Sequence, residues 1–533
     1  MEHKKTSLML GAATLTAALL MISCGGGGSS SNDDEPIVAP AIKHFNRTAS
    51  FPVCQQLDVS CNTDTETAAE IVAASNDGLT LVYTDSPENQ IGFVDITDIT
   101  QPSAAGVLTL AGEPTSVAIK DNFALVGVNT SADFVNVSGL LSVVDMATKT
   151  IITSLDIGGQ PDSIAVSPDG NYAAVVIENE RDEDLGDGEP PQAPAGSFVI
   201  VNLSGTPTNW TTTTIDITGI TALFAGDPEP EYVDINENNI AVVTLQENNH
   251  IMLINLATGT VVNDFSAGTV DLEQIDATEE DPAHITLNES QTDIPREPDG
   301  VAWIDSTYFA TADEGDLNGG SRGFTIFDNN GNIVFSSGNE LDHRAVRLGH
   351  YPDDRSGNKG NEPENVEVGI FDDTPYLFVN SERSSLVFVY DVTDPTQPIF
   401  KQTLPTGAGP EGGLAIPTRD LLVVASEVDD RGDKIRSVLN LYQWSEGDAN
   451  YPSLSSVDRT DGTPIPWSAM SGLAIDTNDA DRLYAIDDSF YGRNRIFGIN
   501  SSTTPASLDS EITITDSNGI CLLYTSPSPR DRG

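Results

Sequence analysis

Pro161-Asp162-Ser163-Ile164-Ala165-Val166, then Ser167-Pro168-Asp169-Gly170, then Tyr172 to Ile177 with Glu178 behind it, then Ser197-Phe198-Val199-Ile200-Val201-Asn202: this stretch holds the plan of the whole chain in one copy. An acid opens a short apolar strand, a Pro-Asp-Gly turn reverses it, a second apolar strand ends on an acid, and a third closes on Asp or Asn. Short runs rich in Val and Ile, cut by turn residues, read as antiparallel sheet. Seven copies can be counted between Ala69 and Trp444, beginning near Glu70, Thr115, Asp162, Glu231, Asp299, Glu364 and Glu411. No long 3.6-residue stripe follows the N-terminal segment, so helix is expected to be marginal. Units of about 40 to 60 residues with three or four strands each predict a β-propeller, in which radial repetition hides the sheet edges. The expected fold is therefore all-β, a seven-bladed propeller, with six or eight blades open because the first copy lacks a strong turn signal. A row of sandwich domains would need periods of roughly 100 residues.

Charge narrows the function. Across 533 residues, 25 Lys and Arg stand against 81 Asp and Glu, a net −56. Such a surface repels phosphate backbones, which excludes nucleic acid as a partner. The start is a secretion signal, with His3, Lys4 and Lys5 ahead of an apolar run from Leu8 to Ile22. Met21-Ile22-Ser23-Cys24 resembles a lipobox, which implies cleavage after residue 23, acylation of Cys24 and anchoring to a membrane through lipid. Gly25 after that cysteine resembles the outer-membrane sorting pattern, so an extracytoplasmic outer-membrane lipoprotein is expected. Residues 24–42 read as a flexible Gly/Ser tether and 43–445 as the propeller. In an exported chain Cys54 and Cys61 read as a local disulfide, with a metal pair as the weaker reading. From about residue 520 to 533, around Cys521, the acidic bias and all strand patterning stop, and this tail reads as foreign to the protein.

The acids recur in register. In a blade the start of the first strand and the end of the second lie on one face, so two acid sets should converge on one channel mouth. The first is Glu70, Asp162, Glu231, Asp299, Glu364 and Glu411, with Thr115 as the exception; the second is Asp85, Glu178, Glu247, Asp313 with Glu314, Glu382 and Glu427, with Asn129 as the exception. Asp316 follows close behind. Carboxylates so crowded repel unless cations neutralise them. Calcium suits hard oxygen ligands in loose geometry, and His44, His250, His284, His343 and His350 show no spacing for a transition metal. The alternative is that several of these acids accept backbone hydrogen bonds and bind nothing.

Three insertions interrupt the repeat, at residues 179–196, 269–296 and 338–361. The last concentrates base: Arg344, Arg347, Arg355 and Lys359 lead to Glu362 and Glu364. Bases beside calcium would make a site for a phosphate ester; the alternative is a basic loop paired with nearby acids. The run Asp182 to Gly188 echoes a calcium loop but with the wrong spacing. Gly319-Gly320-Ser321-Arg322-Gly323 matches a nucleophile-elbow pattern, yet it joins strand to strand, so it is read as coincidence. Gly407 to Gly412 matches a dinucleotide-binding pattern with no helix behind it.

Thr311-Ala312-Asp313-Glu314-Gly315-Asp316 resembles the T-A-N-E-G-D signature of the choice-of-anchor I propellers, a group that includes mesenchyme-specific cell-surface glycoproteins and some large bacterial alkaline phosphatases. Asp354 to Val366 resembles that family's D-R-S-D-x-K-G-x-E-P-E-G-V run, with Asn365 where the family has Gly, and Pro410-Glu411-Gly412 resembles its S-P-E-G turn. The resemblance implies an exported propeller, sometimes linked to calcium-dependent phosphatase activity or to surface functions. Residues 446–466 read as a linker, and 467–519 resembles the opening blade of an esterase-like phytase domain, a truncated second propeller. Two functions are expected to compete: calcium-dependent phosphoester hydrolysis with metal-activated water, or a non-catalytic module binding calcium, a surface polymer or a partner protein.

Overall fold

The computed structural model describes residues 42–186, 188–488 and 491–515. The lipobox with Cys24, the tether up to residue 41, Asp187 of the acidic run and the tail with Cys521 lie outside the described residues. Among the described residues no helix is long and apolar enough to cross a membrane.

The molecule is all-β, as its patterning requires. Seven four-stranded antiparallel sheets are present among the described residues. Their innermost strands are Val72–Ala74, Glu113–Lys120, Pro161–Val166, Pro230–Ile235, Val301–Trp303, Pro363–Phe371 and Pro410–Ile416. The middle strands are near-continuous apolar runs because both faces are covered by neighbouring sheets: Leu81, Val82 and Tyr83 are fully buried, as are Ala173 to Val176. The outermost strands alternate with solvent, as Thr150–Asp156 does.

Hydrogen bonds pass from one innermost strand to the next. Ser116 Oγ accepts from Ile164 N at 3.1 Å, Ser163 Oγ from Val233 N at 3.3 Å and Asp234 Oδ2 from Trp303 N at 2.7 Å. Gly300 N donates to Glu364 O at 3.2 Å, Ala415 N to Glu367 Oε1 at 2.9 Å, and Gly412 N to Glu70 O at 3.0 Å, which ties the last sheet to the first. The last sheet is itself completed from the other end of the domain: Lys43–Pro52 pairs antiparallel with Val438–Glu446. Cys54 and Cys61, just beyond that strand, are bonded at 2.04 Å.

The insertions carry structure that periodicity did not foretell. The segment at 338–361 contains the helix Glu340–Leu348, which buries Leu341, Ala345, Val346 and Leu348 and ends on Gly349 at φ 76°. Nine residues give too short a stripe to stand out from the surrounding polar sequence. The segment at 269–296 forms a two-stranded sheet of Thr269–Ile275 and Glu289–Pro295. At the C-terminal end a five-stranded sheet packs on Ile465, Ala485, Phe497, Ile499 and Leu508. Its edge strand, Leu454–Ser456, comes from the stretch expected to be a linker and pairs parallel with Ala506–Thr513.

Candidate metal centre at the channel mouth

Four of the six acids of the first set, Asp162, Glu231, Glu364 and Glu411, sit where their strands are irregular. The pairing register shifts between Pro161 and Ile164, Pro230 and Val233, Pro363 and Asn365, and Pro410 and Gly413. A bulge at the start of an innermost strand re-aims the side chain that follows the proline, and the proline costs no ladder bond on an edge. Asp162, Glu231, Glu364 and Glu411 are thereby turned inward, and with Asp299, Glu314 and Thr115 they line a cavity of about 170 Å³.

The glycines of the acid-Gly pairs have a steric reason. A Cβ on Gly412 would stand 2.4 Å from Glu70 O, and one on Gly300 would stand 2.6 Å from Asn365 Cα. Neighbouring innermost strands approach too closely there for any side chain. Gly300 is also what makes room for Asn365, whose Nδ2 donates to Tyr232 Oη at 3.0 Å.

Two carboxylate triads stand out within the mouth. Asp162, Glu178 and Glu231 bring one oxygen each within 4.8 Å of the others, and so do Asp299, Glu314 and Glu364. Among the described residues the direct hydrogen bonds on these six come from side chains, Gln246 Nε2 and Lys359 Nζ, both on Glu314 at 2.6 Å. Backbone donors do satisfy Asp85, which accepts from Ala68 N at 3.0 Å, so the alternative reading of the acids holds at that position. Glu364 Oε2 is buried and meets no hydrogen-bond donor.

Burial and crowding push these acids toward protonation. Burial, reinforced by Glu180 and Glu247, raises Asp162 to about 7. Burial, opposed by the Ser86 hydroxyl and reinforced by Glu427, raises Glu70 to about 8. Glu178, Glu231, Asp299, Glu364 and Glu411 are all held well above the carboxylate range by burial first and by neighbouring carboxylates second. Glu382 is raised to about 8 by burial, with Arg383 offsetting in part. Burial also raises Glu427, again with Arg383 in opposition.

Cations of the protein's own rim the mouth. Lys359 Nζ lies 2.6 Å from Glu314 Oε1 and 3.7 Å from Glu362 Oε1. Arg355 grips Glu362 with Nε at 2.8 Å and Nη2 at 2.9 Å. Arg383 pairs with Glu382 at 3.0 Å. Arg181 reaches in from the first insertion to Glu247 Oε1 at 2.7 Å and also pairs with Asp316.

Four expected site residues are elsewhere. Asp313 and Glu314 are adjacent at a strand end and point to opposite sides, so only Glu314 joins the mouth. Asp313 is fully buried and accepts from Thr311 Oγ1 at 2.6 Å, Ser321 Oγ at 2.7 Å and Thr325 Oγ1 at 2.5 Å. Asp316 is held on the rim by Arg181 rather than in a triad. Arg344 and Arg347 sit on the helix Glu340–Leu348 and line a different cavity, because helix formation turns that basic run away from the mouth. Sequence reasoning also missed Arg181 and Glu229, which stand 3.6 Å apart. The signals were faint: one base in an acidic insertion, and an acid two residues ahead of Glu231 in Pro228-Glu229-Pro230-Glu231.

The choice-of-anchor I domain matches residues 70–319 and 317–395. The chain belongs to the choice-of-anchor I family. No curated protein matches this choice-of-anchor I chain. Among solved structures it is similar to the RRP9 WD40 repeats, at 9% identity and TM-score 0.50, over 75% of this chain and 100% of that one. It is also similar to the Myceliophteria thermophila Cps50 (Swd1) β-propeller domain, at 8% identity and TM-score 0.47, over 75% and 100%. WD40 repeats are propeller blades, so the likeness to the first establishes the propeller fold.

Proposed function

We propose that this choice-of-anchor I chain is an exported calcium-binding surface propeller, held to the outer membrane by acylated Cys24, with its seven sheets as seven blades. One observation carries the reading: two triads of hard oxygen ligands face the same mouth, in a site whose carboxylates are too crowded to ionise together without a cation. Calcium fits the donor set, which is all oxygen, and fits the buried Glu364 Oε2 that no donor satisfies. Asp162, Glu178 and Glu231 would hold one ion, and Asp299, Glu314 and Glu364 another. Glu70, Glu382, Glu411 and Glu427 supply the surrounding negative field. Calorimetric titration of the chelator-stripped protein tests this. Saturable calcium uptake that Asp162→Asn and Glu364→Gln each reduce supports it, and no uptake defeats it.

Calcium-dependent phosphoester hydrolysis is a second reading, favoured by the placement of Lys359 and Arg355 on the rim beside the second triad. A bound ion would polarise a phosphoryl oxygen and acidify water. Both bases are committed to Glu314 and Glu362, so an ester would have to exchange with those carboxylates. Hydrolysis of p-nitrophenyl phosphate that is lost on chelation and in Arg355→Ala supports this reading. Calcium binding without turnover leaves the binding module, with a surface polymer or partner protein as its ligand. The five-stranded C-terminal sheet is proposed to be the first blade of a second, phytase-like propeller.

A further inference from the structure

The basic residues that the helix Glu340–Leu348 carries away from the mouth converge on a second cavity of about 220 Å³. It lies between that helix, the strand Ile399–Pro405 and the segment around Tyr451. It shares no lining residue with the mouth. One wall is apolar, built from Leu348, Phe400, Tyr451 and Pro452. The other presents His44, Arg344, Arg347 and Lys401, and no carboxylate lines it, in a chain where 81 acids face 25 bases.

The two arginines are fixed from behind. Arg344 donates Nε and Nη2 to Glu340 Oε1 at 2.9 and 2.6 Å, and its guanidinium carbon lies 3.3 Å from the centroid of the Phe400 ring. Arg347 donates Nη1 to Ser456 O at 2.9 Å and pairs with Asp458. Lys401 Nζ is 3.8 Å from Asp391, beyond hydrogen-bonding distance, and its side chain is 43% exposed. A concave hollow with an apolar wall and a few convergent polar groups is the ordinary form of a small-molecule site.

We infer that this cavity binds a small organic anion with a flat apolar body, of the aromatic carboxylate class. The body packs against Phe400, Leu348 and Pro452, and the anionic head meets Lys401 and the edge of Arg344. Inorganic phosphate would leave the apolar wall wet. A neutral aromatic would leave Lys401, whose nearest paired carboxylate is 3.8 Å away on Asp391, without a close counter-charge.

The probes are 2-naphthoate and its neutral counterpart 2-naphthalenemethanol, titrated calorimetrically into the full chain with calcium in excess. Naphthoate is expected to bind saturably, one molecule per chain, and more tightly than the alcohol. Lys401→Glu should weaken naphthoate on the order of tenfold, since it turns an attraction into a repulsion of similar size. Phe400→Ala should weaken both probes, and Glu364→Gln at the mouth should change neither. Absence of saturable naphthoate binding, equal affinity for the two probes, or an unchanged affinity in Lys401→Glu would each overturn the proposal. The comparison of the two probes on the unmodified chain needs no variant to fold.

Discussion

Lys359 Nζ lies 2.6 Å from Glu314 Oε1, and the two side chains are 13% and 12% exposed. A base from the third insertion thus neutralises an acid of the fifth sheet inside the mouth. Replacing it by Lys359→Met leaves Glu314 recessed without its counter-charge. Breaking such a mostly buried pair costs about 2–4 kcal/mol of stability in calcium-free protein. The same change makes the mouth more negative, so calcium should bind more tightly. Chemical denaturation with chelator and calorimetry with calcium check the two halves, and weaker calcium binding would contradict the assignment of Glu314 as a ligand.

Stability should respond to pH in opposite ways with and without calcium. Asp162 and Glu70 are raised to about 7 and about 8 in the folded chain, whereas free carboxylates titrate at about 4. Between those values the folded state holds protons that the unfolded state has released. Stability is therefore fully present at the acid end of this window and falls as pH rises toward 8. Calcium replaces the protons and binds the ionised form, so in excess calcium the decline should vanish or reverse. Melting temperatures from pH 5 to 8, with chelator and with calcium, measure this. A flat profile in chelator would remove the case for crowding in the mouth.

Much of this was legible in the chain because the repeat couples turn chemistry to strand length. Pro168-Asp169-Gly170 marks the reversal between two strands of its copy, and the acid after an opening proline is an inward position where the bulge is local. What stayed hidden depends on contacts distant in sequence. Pairing of Lys43–Pro52 with Val438–Glu446 joins opposite ends of the domain, and no local pattern announces it. The helix Glu340–Leu348 redirected Arg344 and Arg347 through a stripe of four apolar residues, too few to outweigh the polar loop around them. Asp313 departs from the expectation for a simpler reason: it is adjacent to Glu314, and neighbouring side chains at a strand end point to opposite sides, so only one of the two faces the mouth.

That alternation supplies a discriminating pair of variants. Asp313→Asn removes a carboxylate from a buried hydrogen-bonded group with Thr311, Ser321 and Thr325. It should lower the melting temperature and leave calcium affinity unchanged. Asp162→Asn removes a carboxylate from a triad and relieves repulsion, so it should stabilise the calcium-free protein and weaken calcium binding. Calorimetry and thermal melts on both variants test the contrast. A calcium defect in Asp313→Asn equal to that of Asp162→Asn would return Asp313 to the mouth.

The junction between the last sheet and the first offers the sharpest steric test. Gly412 N donates to Glu70 O at 3.0 Å, and a Cβ on Gly412 would lie 2.4 Å from that same oxygen and 3.1 Å from Ile71 Cα. Both obstacles are backbone, so a side chain rotation cannot clear them and the two strands must separate. Gly412→Ala should therefore cost about 2–4 kcal/mol through overpacking and loss of the bond. Gly226→Ala, where a Cβ meets nothing within 4 Å, should stay within about 0.5 kcal/mol. Separation at Gly412 also moves Glu411 away from Glu70, so calcium affinity should fall together with stability in the first variant and remain unchanged in the second. Denaturant melts and calcium titrations of the pair read both effects, and a Gly412→Ala protein of full stability would mean that these two innermost strands are not in contact.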